Sequence, residues 1–180
     1  MRWLPFILCA GIVLTLQSAL APRLALGGVR PDWVLVMVIF YALHAKTPDS
    51  VIAGWALGLM ADLLTVERFG LLSLSYGLAA AAVASVREYL FRSRAVTQFA
   101  VTLAVGVLMQ TAWQIYRRAL YAPLGSWAGD WVSNGLLASI YTAAWAPLFH
   151  RGLLSIARTL GIPRPQERLR HAPRTGGGRV

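Results

Sequence analysis

Apolar residues occur along the chain in six long runs separated by short polar segments. The runs extend from Trp3 to Ala21, Trp33 to Ala45, Val51 to Val66, Phe69 to Val86, Ala95 to Tyr116 and Trp131 to Phe149. A helix that crosses the hydrocarbon core of a bilayer needs about 20 predominantly apolar residues. The pattern therefore predicts an all-α, polytopic transmembrane helix bundle of about six spans joined by short loops.

The second run is short for a hydrocarbon core about 30 Å thick. Three explanations remain open: the membrane is thinner there, the helix begins upstream of Pro31, or neighbouring helices cover it. Arg30-Pro31-Asp32 is a favourable start for this helix. Proline has no N–H to lose in a first turn, and a carboxylate there faces the positive end of the helix dipole. We therefore expect Pro31 and Asp32 to begin the second helix.

Composition agrees with a membrane location. Hydrophobic residues make up 57% of 180 positions, charged residues 13%, and the mean hydropathy is +0.58. We expect residues 1–160 to form the bundle, and residues 161–180, rich in proline, glycine and arginine, to form a disordered cytoplasmic tail. Ala19-Leu20-Ala21 resembles a signal-peptide cleavage site, but the first run is longer than a typical signal core, which favours a retained helix.

Basic residues indicate the orientation. With a cytoplasmic N-terminus, twelve of the seventeen lysines and arginines fall in inner segments and five in outer loops. The positive-inside rule then places both termini in the cytoplasm. The net charge of +10 also raises the question of nucleic-acid binding. Because the arginines flank apolar runs and no recognised binding module accompanies them, we expect contact with membrane lipids and none with nucleic acid.

An aspartate interrupts the third run. Gly54, Gly58 and Asp62 follow one another at intervals of four and share a helix face, with Thr65 close beside it. Small residues at this spacing allow another helix to approach closely, and a lone carboxylate is costly in hydrocarbon. Two roles for Asp62 stay open. It accepts hydrogen bonds from the turn around Gly70 or from a neighbouring helix and so locks a helical hairpin, or it contacts a partner subunit.

The fifth helix carries a polar stripe. Gln110, Gln114 and Arg117 recur at helical spacing, which is suited to contact with another protein. The connection that follows, from Trp113 to Trp131, is rich in tryptophan and tyrosine. An aromatic belt that anchors the protein at the membrane surface is favoured there over a partner site.

No reactive constellation can be assembled from the spans. The sequence offers no nucleophile with a histidine base, no paired carboxylates, no metal-ligand set and no phosphate-binding glycine loop. The single cysteine, Cys9, has no partner for a disulfide. His44, His150 and His171 fall at span ends or in the tail, where satisfied or solvated histidines are usual. We expect no enzymatic activity, no cofactor and no metal.

Two segments together resemble a known family. Their matching positions are Arg30-Pro31-Asp32, Gly54, Gly58, Leu59, Asp62, Thr65, Gly70, Leu71, Ser73 and Tyr76. In this pattern the chain resembles the bacterial MreD rod shape-determining membrane proteins. The resemblance implies a non-enzymatic component of the cell-elongation machinery in the bacterial cytoplasmic membrane. It also implies association with the bitopic protein MreC, the actin-like MreB, a SEDS glycosyltransferase and a class B penicillin-binding transpeptidase.

The principal alternative is a substrate-binding membrane subunit of a vitamin or metal uptake transporter. Such a subunit needs a pocket with several convergent polar groups near its outer side. Candidates for that pocket are Asp62, Tyr76, Gln110, Gln114 and Asn134. A third class, an intramembrane enzyme, lacks the reactive groups that it requires.

Overall fold

The computed structural model describes residues 3–65, 68–89, 95–121 and 135–155, and these residues form six α-helices and no β-strand. The helices are α1 (Trp3–Ala19), α2 (Trp33–His44), α3 (Thr47–Asp62), α4 (Leu71–Val86), α5 (Ala95–Tyr121) and α6 (Leu137–Ser155). A short 3₁₀ turn, Arg87–Tyr89, follows α4. The all-α prediction is confirmed for this part of the chain. The predicted tail, residues 161–180, lies outside the described residues.

The starts of α2 and α3 differ in part from the predictions: Asp32 begins the second helix as its cap, as expected, but Pro31 does not. Helix α2 begins at Trp33, so Pro31 precedes the helix and does not occupy its first turn. The reason is that Asp32 has extended backbone angles and caps the helix, its carboxylate accepting a hydrogen bond from the N–H of Leu35. Helix α3 begins at Thr47, upstream of the predicted Val51, because Pro48 fits a first helical turn, where no N–H is needed.

Helix α2 is the centre of the bundle. Eleven of its 12 residues are buried, and each of the other five helices contacts it. A helix that is apolar on all sides is stable only where neighbours cover it. The packing therefore supports one of the three explanations for the short second run, namely that neighbouring helices cover it. The start of α2 at Trp33 excludes a helix that begins upstream of Pro31.

Helix α5 is the helix best suited to crossing a membrane. Its segment Ala95–Leu120 contains 26 residues; the 18-residue apolar window within it has a mean hydropathy of 1.5, and 17% of that window is buried. A helix so exposed is not the core helix of a soluble domain. Within the described ranges it alone meets both the length and the hydropathy criteria, whereas α1 and α2 are apolar but shorter. Six separate crossings stay a prediction.

Successive helices run in alternating directions. Side chains near the starts of α4 and α6, Tyr76 and Thr142, bond to Asp32 at the start of α2. We call this end of the bundle the Asp32 end. At the other end Arg87, after α4, donates hydrogen bonds to the carbonyl of Ala45, which follows α2, and to the hydroxyl of Thr47, the first residue of α3. The start of α1 and the end of α6 lie at this second end.

Helices α3 and α4 form a tightly packed hairpin. A Cβ atom added at Gly54 would lie 2.7 Å from the Cβ of Ala80 and 2.8 Å from the carbonyl oxygen of Tyr76. A Cβ at Gly58 would lie 2.5 Å from the carbonyl oxygen of Leu72. All three distances are too short for any side chain, so the two backbones approach each other only because these positions are glycine. This is the close helix packing that the small-residue spacing predicts, and α4 is the neighbouring helix.

Candidate functional site at the Asp32 end

Asp62 closes the α3–α4 hairpin. It is the last residue of α3 and only 3% exposed. Its Oδ2 accepts hydrogen bonds from the N–H groups of Gly70 and Ser73, and its Oδ1 from that of Leu72, all at 3.0 Å. These N–H groups belong to Gly70, the N-cap residue of α4, and to the first turn of that helix, where no carbonyl within the helix can accept them. The carboxylate therefore caps a neighbouring helix and faces the positive end of its dipole.

The turn between these helices is shaped to bring the donors onto Asp62. Gly70 has a φ of 95°, in the left-handed region that glycine adopts without steric cost. Thr65 follows the end of α3 and donates a hydrogen bond from its hydroxyl to the carbonyl of Asp62 at 3.2 Å. These are the contacts that the hairpin role of Asp62 requires. The burial of the carboxylate leaves little of it accessible to a partner subunit.

Asp32 has a similar capping role at the start of α2. Its Oδ1 accepts a hydrogen bond from the N–H of Leu35 at 2.9 Å, and its Oδ2 accepts one from the hydroxyl of Tyr76 at 2.8 Å. Its own N–H donates to the hydroxyl oxygen of Thr142 at 2.9 Å.

A glutamine completes the attachment of α2. The Oε1 of Gln17, near the end of α1, accepts a hydrogen bond from the N–H of Trp33 at 2.8 Å, and its Nε2 donates to the carbonyl of Pro31 at 3.1 Å. Side chains from α1, α4 and α6 thus hold three successive residues at the start of α2. Sequence reasoning did not assign Gln17 or Thr142 to the site, although each is a polar residue within an apolar run.

Two clefts flank the Asp32–Tyr76 hydrogen bond. The first, which we call the Arg117 cleft, has a volume of about 220 Å³ and lies towards α5 and α6; its polar lining is Asp32, Tyr76, Gln110, Arg117, Ser139 and Thr142. The second, the Arg30 cleft, has a volume of about 320 Å³ and lies towards α1; its polar lining includes Gln17, Ser18, Arg30, Asp32 and Tyr76. Thr65 and Leu72 also line both clefts.

The predicted stripe on α5 is divided by this arrangement. Gln110 and Arg117 line the Arg117 cleft, whereas Gln114 does not. Trp113, which the sequence favours as part of a membrane-surface belt, also lines the cleft. The guanidinium carbon of Arg117 lies 5.4 Å from the centre of the Trp113 ring, in a cation–π contact. Most of the aromatic connection that follows, residues 122–134, lies outside the described residues.

The polar groups predicted for an uptake subunit do not all converge. Tyr76 and Gln110 line one cleft, but Asp62 and Gln114 line neither of the two. The carboxylate of Asp62 is instead occupied by the turn of the hairpin. Asn134 lies outside the described residues. The Arg117 cleft is also smaller than the roughly 300 Å³ at which pockets for drug-sized ligands begin.

The histidines at the opposite end form no metal site with other ligands. Within the described ranges there is no group of three or more histidine, cysteine, aspartate or glutamate residues that fits a metal ion. Of the two expected states of His150, the solvated one is excluded, because the side chain is fully buried. The reason is its packing against aromatic rings, with centroids 5.5 Å away at Phe40 and 5.9 Å away at His44.

Replacement of Tyr76 tests whether the Asp32 bond stabilises the bundle. Tyr76→Phe removes the hydroxyl donor and leaves Oδ2 of Asp32 without it, so we expect a loss of about 1–3 kcal/mol of stability. The measurement is thermal unfolding of the purified protein in detergent. Tyr89→Phe is the control, because that side chain is 87% exposed. Equal unfolding temperatures for the two variants would show that the bond contributes nothing.

A family model of known proteins matches most of the chain. The family model described as rod shape-determining protein MreD matches residues 1–149 of the 180. No curated protein and no solved structure matches the chain. The matched range contains both capping aspartates, the α3–α4 hairpin and the Arg117 cleft.

Proposed function

Since the chain belongs to the MreD family of rod shape-determining proteins, we propose that it is a non-enzymatic membrane scaffold of the cell-elongation complex. In this proposal the protein binds an MreC-like bitopic protein within the membrane. It thereby links cytoplasmic MreB filaments to peptidoglycan synthesis by a SEDS glycosyltransferase and a class B penicillin-binding transpeptidase. The chemistry belongs to those partners, and this chain contributes position and contact.

The observation that carries the proposal is the engagement of its polar side chains in holding helices together. The carboxylate of Asp62 is bonded to three N–H groups of α4, and Asp32 is bonded to α4 and α6. At the other end Arg87 bonds to Ala45, which follows α2, and to Thr47, the first residue of α3. Because these side chains fix the helices relative to one another, the surface of the bundle is rigid, as a scaffold requires.

The outer face of the α3–α4 hairpin is the surface that we assign to the partner. An apolar groove of about 330 Å³ runs along it, lined on α3 by Ile52 and Trp55 and on α4 by Leu74, Gly77 and Leu78. A glycine in such a groove lets a further helix approach closely, which favours helix association in lipid. The hairpin bonds of Asp62 fix the spacing of the two helices and hence the shape of the groove.

We further propose that all six helices cross the bacterial cytoplasmic membrane and that both termini are cytoplasmic. The alternating helix directions support an even number of crossings. Helix α2 contains 12 residues and is about 18 Å long at roughly 1.5 Å per residue. A helix this short is tolerated at membrane depth because Pro31 and Ala45, which flank it, are buried in protein. The excess of basic residues in the inner segments gives the orientation.

Cross-linking in cells tests the partner surface. In a Cys9→Ala background, single cysteines replace Trp55 and Leu78 on the hairpin face, and Leu8 on an exposed face of α1 serves as the control. We expect a covalent product with an MreC-like protein from the two hairpin positions and none from the control. Products from position 8 alone would place the partner on α1, and the absence of any product would remove the support for the scaffold.

A further inference from the structure

Asp32 lies in the wall between two clefts and contributes to the lining of both. Its side chain is half-buried. An ionised carboxylate offers about four acceptor positions; the N–H of Leu35 and the hydroxyl of Tyr76 use two, and the N–H of Val34 also faces the carboxylate, which leaves at least one position open. No basic residue of the described ranges forms an ion pair with it. A partly buried carboxylate without a cation is favourably placed to bind one.

The cleft walls also carry positive charge. Arg117 lines the first cleft and Arg30 lines the second, and both side chains are exposed. The residues that line the two clefts thus supply one carboxylate and two guanidinium groups. A ligand with both a cationic and an anionic group can pair its cation with the Asp32 carboxylate and its anion with a guanidinium group.

We propose that the clefts beside Asp32 bind a zwitterion that carries a primary ammonium group and an oxyanion. The ammonium group donates a hydrogen bond to an open acceptor position of Asp32, and the oxyanion faces Arg117 or Arg30. The small volume of the Arg117 cleft, about 220 Å³, selects a compact group. The phosphoethanolamine headgroup of a membrane lipid and free phosphoethanolamine share this chemistry. The inference does not depend on the scaffold function.

Lipid retention distinguishes a specific site from general lipid contact. The full chain is placed in nanodiscs that contain equal amounts of phosphatidylethanolamine and phosphatidylcholine, and retained lipids are counted by native mass spectrometry. The two lipids carry the same phosphate, but the choline group has no N–H to donate. We expect phosphatidylethanolamine to be retained in preference, by about tenfold or more, as befits a hydrogen bond to a charged group.

Two variants and one control assign the preference to the clefts. Asp32→Asn removes the charge and keeps a side chain that caps helices well, so the fold is expected to survive. Arg117→Gln removes the cation at an exposed position. We expect both to reduce the preference about tenfold, because each removes one charged partner. Glu88→Gln removes a carboxylate from an exposed position beyond the end of α4 and is expected to keep it.

Free phosphoethanolamine distinguishes a soluble ligand from the headgroup of a membrane lipid. Thermal unfolding is measured in phosphatidylcholine nanodiscs with and without free phosphoethanolamine, again for the native chain and the variants. Stabilisation of the native chain alone identifies a free zwitterion as a ligand, and a lipid preference without such stabilisation identifies the headgroup. Equal retention of the two lipids together with no stabilisation would overturn the proposal. A preference that survives in both Asp32→Asn and Arg117→Gln would also overturn it.

Discussion

Asp62→Asn lowers the stability of the bundle by about 3 kcal/mol or more in our account, because hydrogen bonds to a charged group contribute roughly 1.5–3 kcal/mol each. Three N–H groups of α4 point at the carboxylate, two of them at Oδ2. Asparagine supplies one oxygen and one NH₂ group, so at least one N–H donor of the hairpin then faces another donor. The burial of the site prevents water from replacing the lost acceptor.

Thermal unfolding in detergent and the amount of protein in the membrane measure this loss. Glu88→Gln also removes one carboxylate, but from an exposed residue, and is expected to leave both quantities unchanged. If Asp62→Asn unfolds at the same temperature as Glu88→Gln, Asp62 does not hold the hairpin together. Its presence in an apolar helix would then point to contact with a partner.

Gly58→Ala separates α3 from α4 and destabilises the hairpin. The new Cβ would lie 2.5 Å from the carbonyl oxygen and 2.7 Å from the carbonyl carbon of Leu72. These are backbone atoms of the facing helix and do not move aside as the end of a flexible side chain does. Overpacking of this kind costs about 1–3 kcal/mol and occasionally more, which exceeds the gain of roughly 1 kcal/mol from alanine in a helix.

Gly152→Ala in α6 is the matched control. A Cβ at Gly152 meets no atom within 4 Å, so only the helix-propensity gain remains and the variant is expected to be as stable as the native chain or slightly more stable. The measurement is again thermal unfolding in detergent. Equal unfolding temperatures for Gly58→Ala and Gly152→Ala would contradict the close approach of α3 and α4.

The sequence predicts local features of the fold well. Apolar runs identify all six helices of the described residues, and the interval of four between Gly54, Gly58 and Asp62 identifies the packed face of α3. These features depend on residues close together in the chain, and the period of the helix makes them visible. The start of α2 is predicted in part: Asp32 caps the helix as expected, whereas Pro31 lies outside its first turn, since both residues suit several positions near a helix N-terminus.

The candidate site is only partly visible in the sequence. Asp32 and Asp62 are identifiable as acidic residues beside or within apolar runs. The partners of Asp32 are not, because Tyr76 lies 44 residues away and Thr142 lies 110 residues away. Such pairs form where helices pack against one another, and the hydrophobic pattern of a single sequence does not show which helices are neighbours. The same reason explains why Gln110 and Arg117 join one cleft while Gln114, on the same predicted stripe, does not.

The central claim is that the protein maintains rod shape through a surface that the Asp62 hairpin presents. The most direct test is to deplete it from its own rod-shaped bacterium and to measure cell width while a second copy is expressed. We predict that depleted cells become round, that the native chain and Glu88→Gln restore rods, and that Asp62→Asn does not. Cells that keep their width after depletion, or that Asp62→Asn restores fully, would contradict the account.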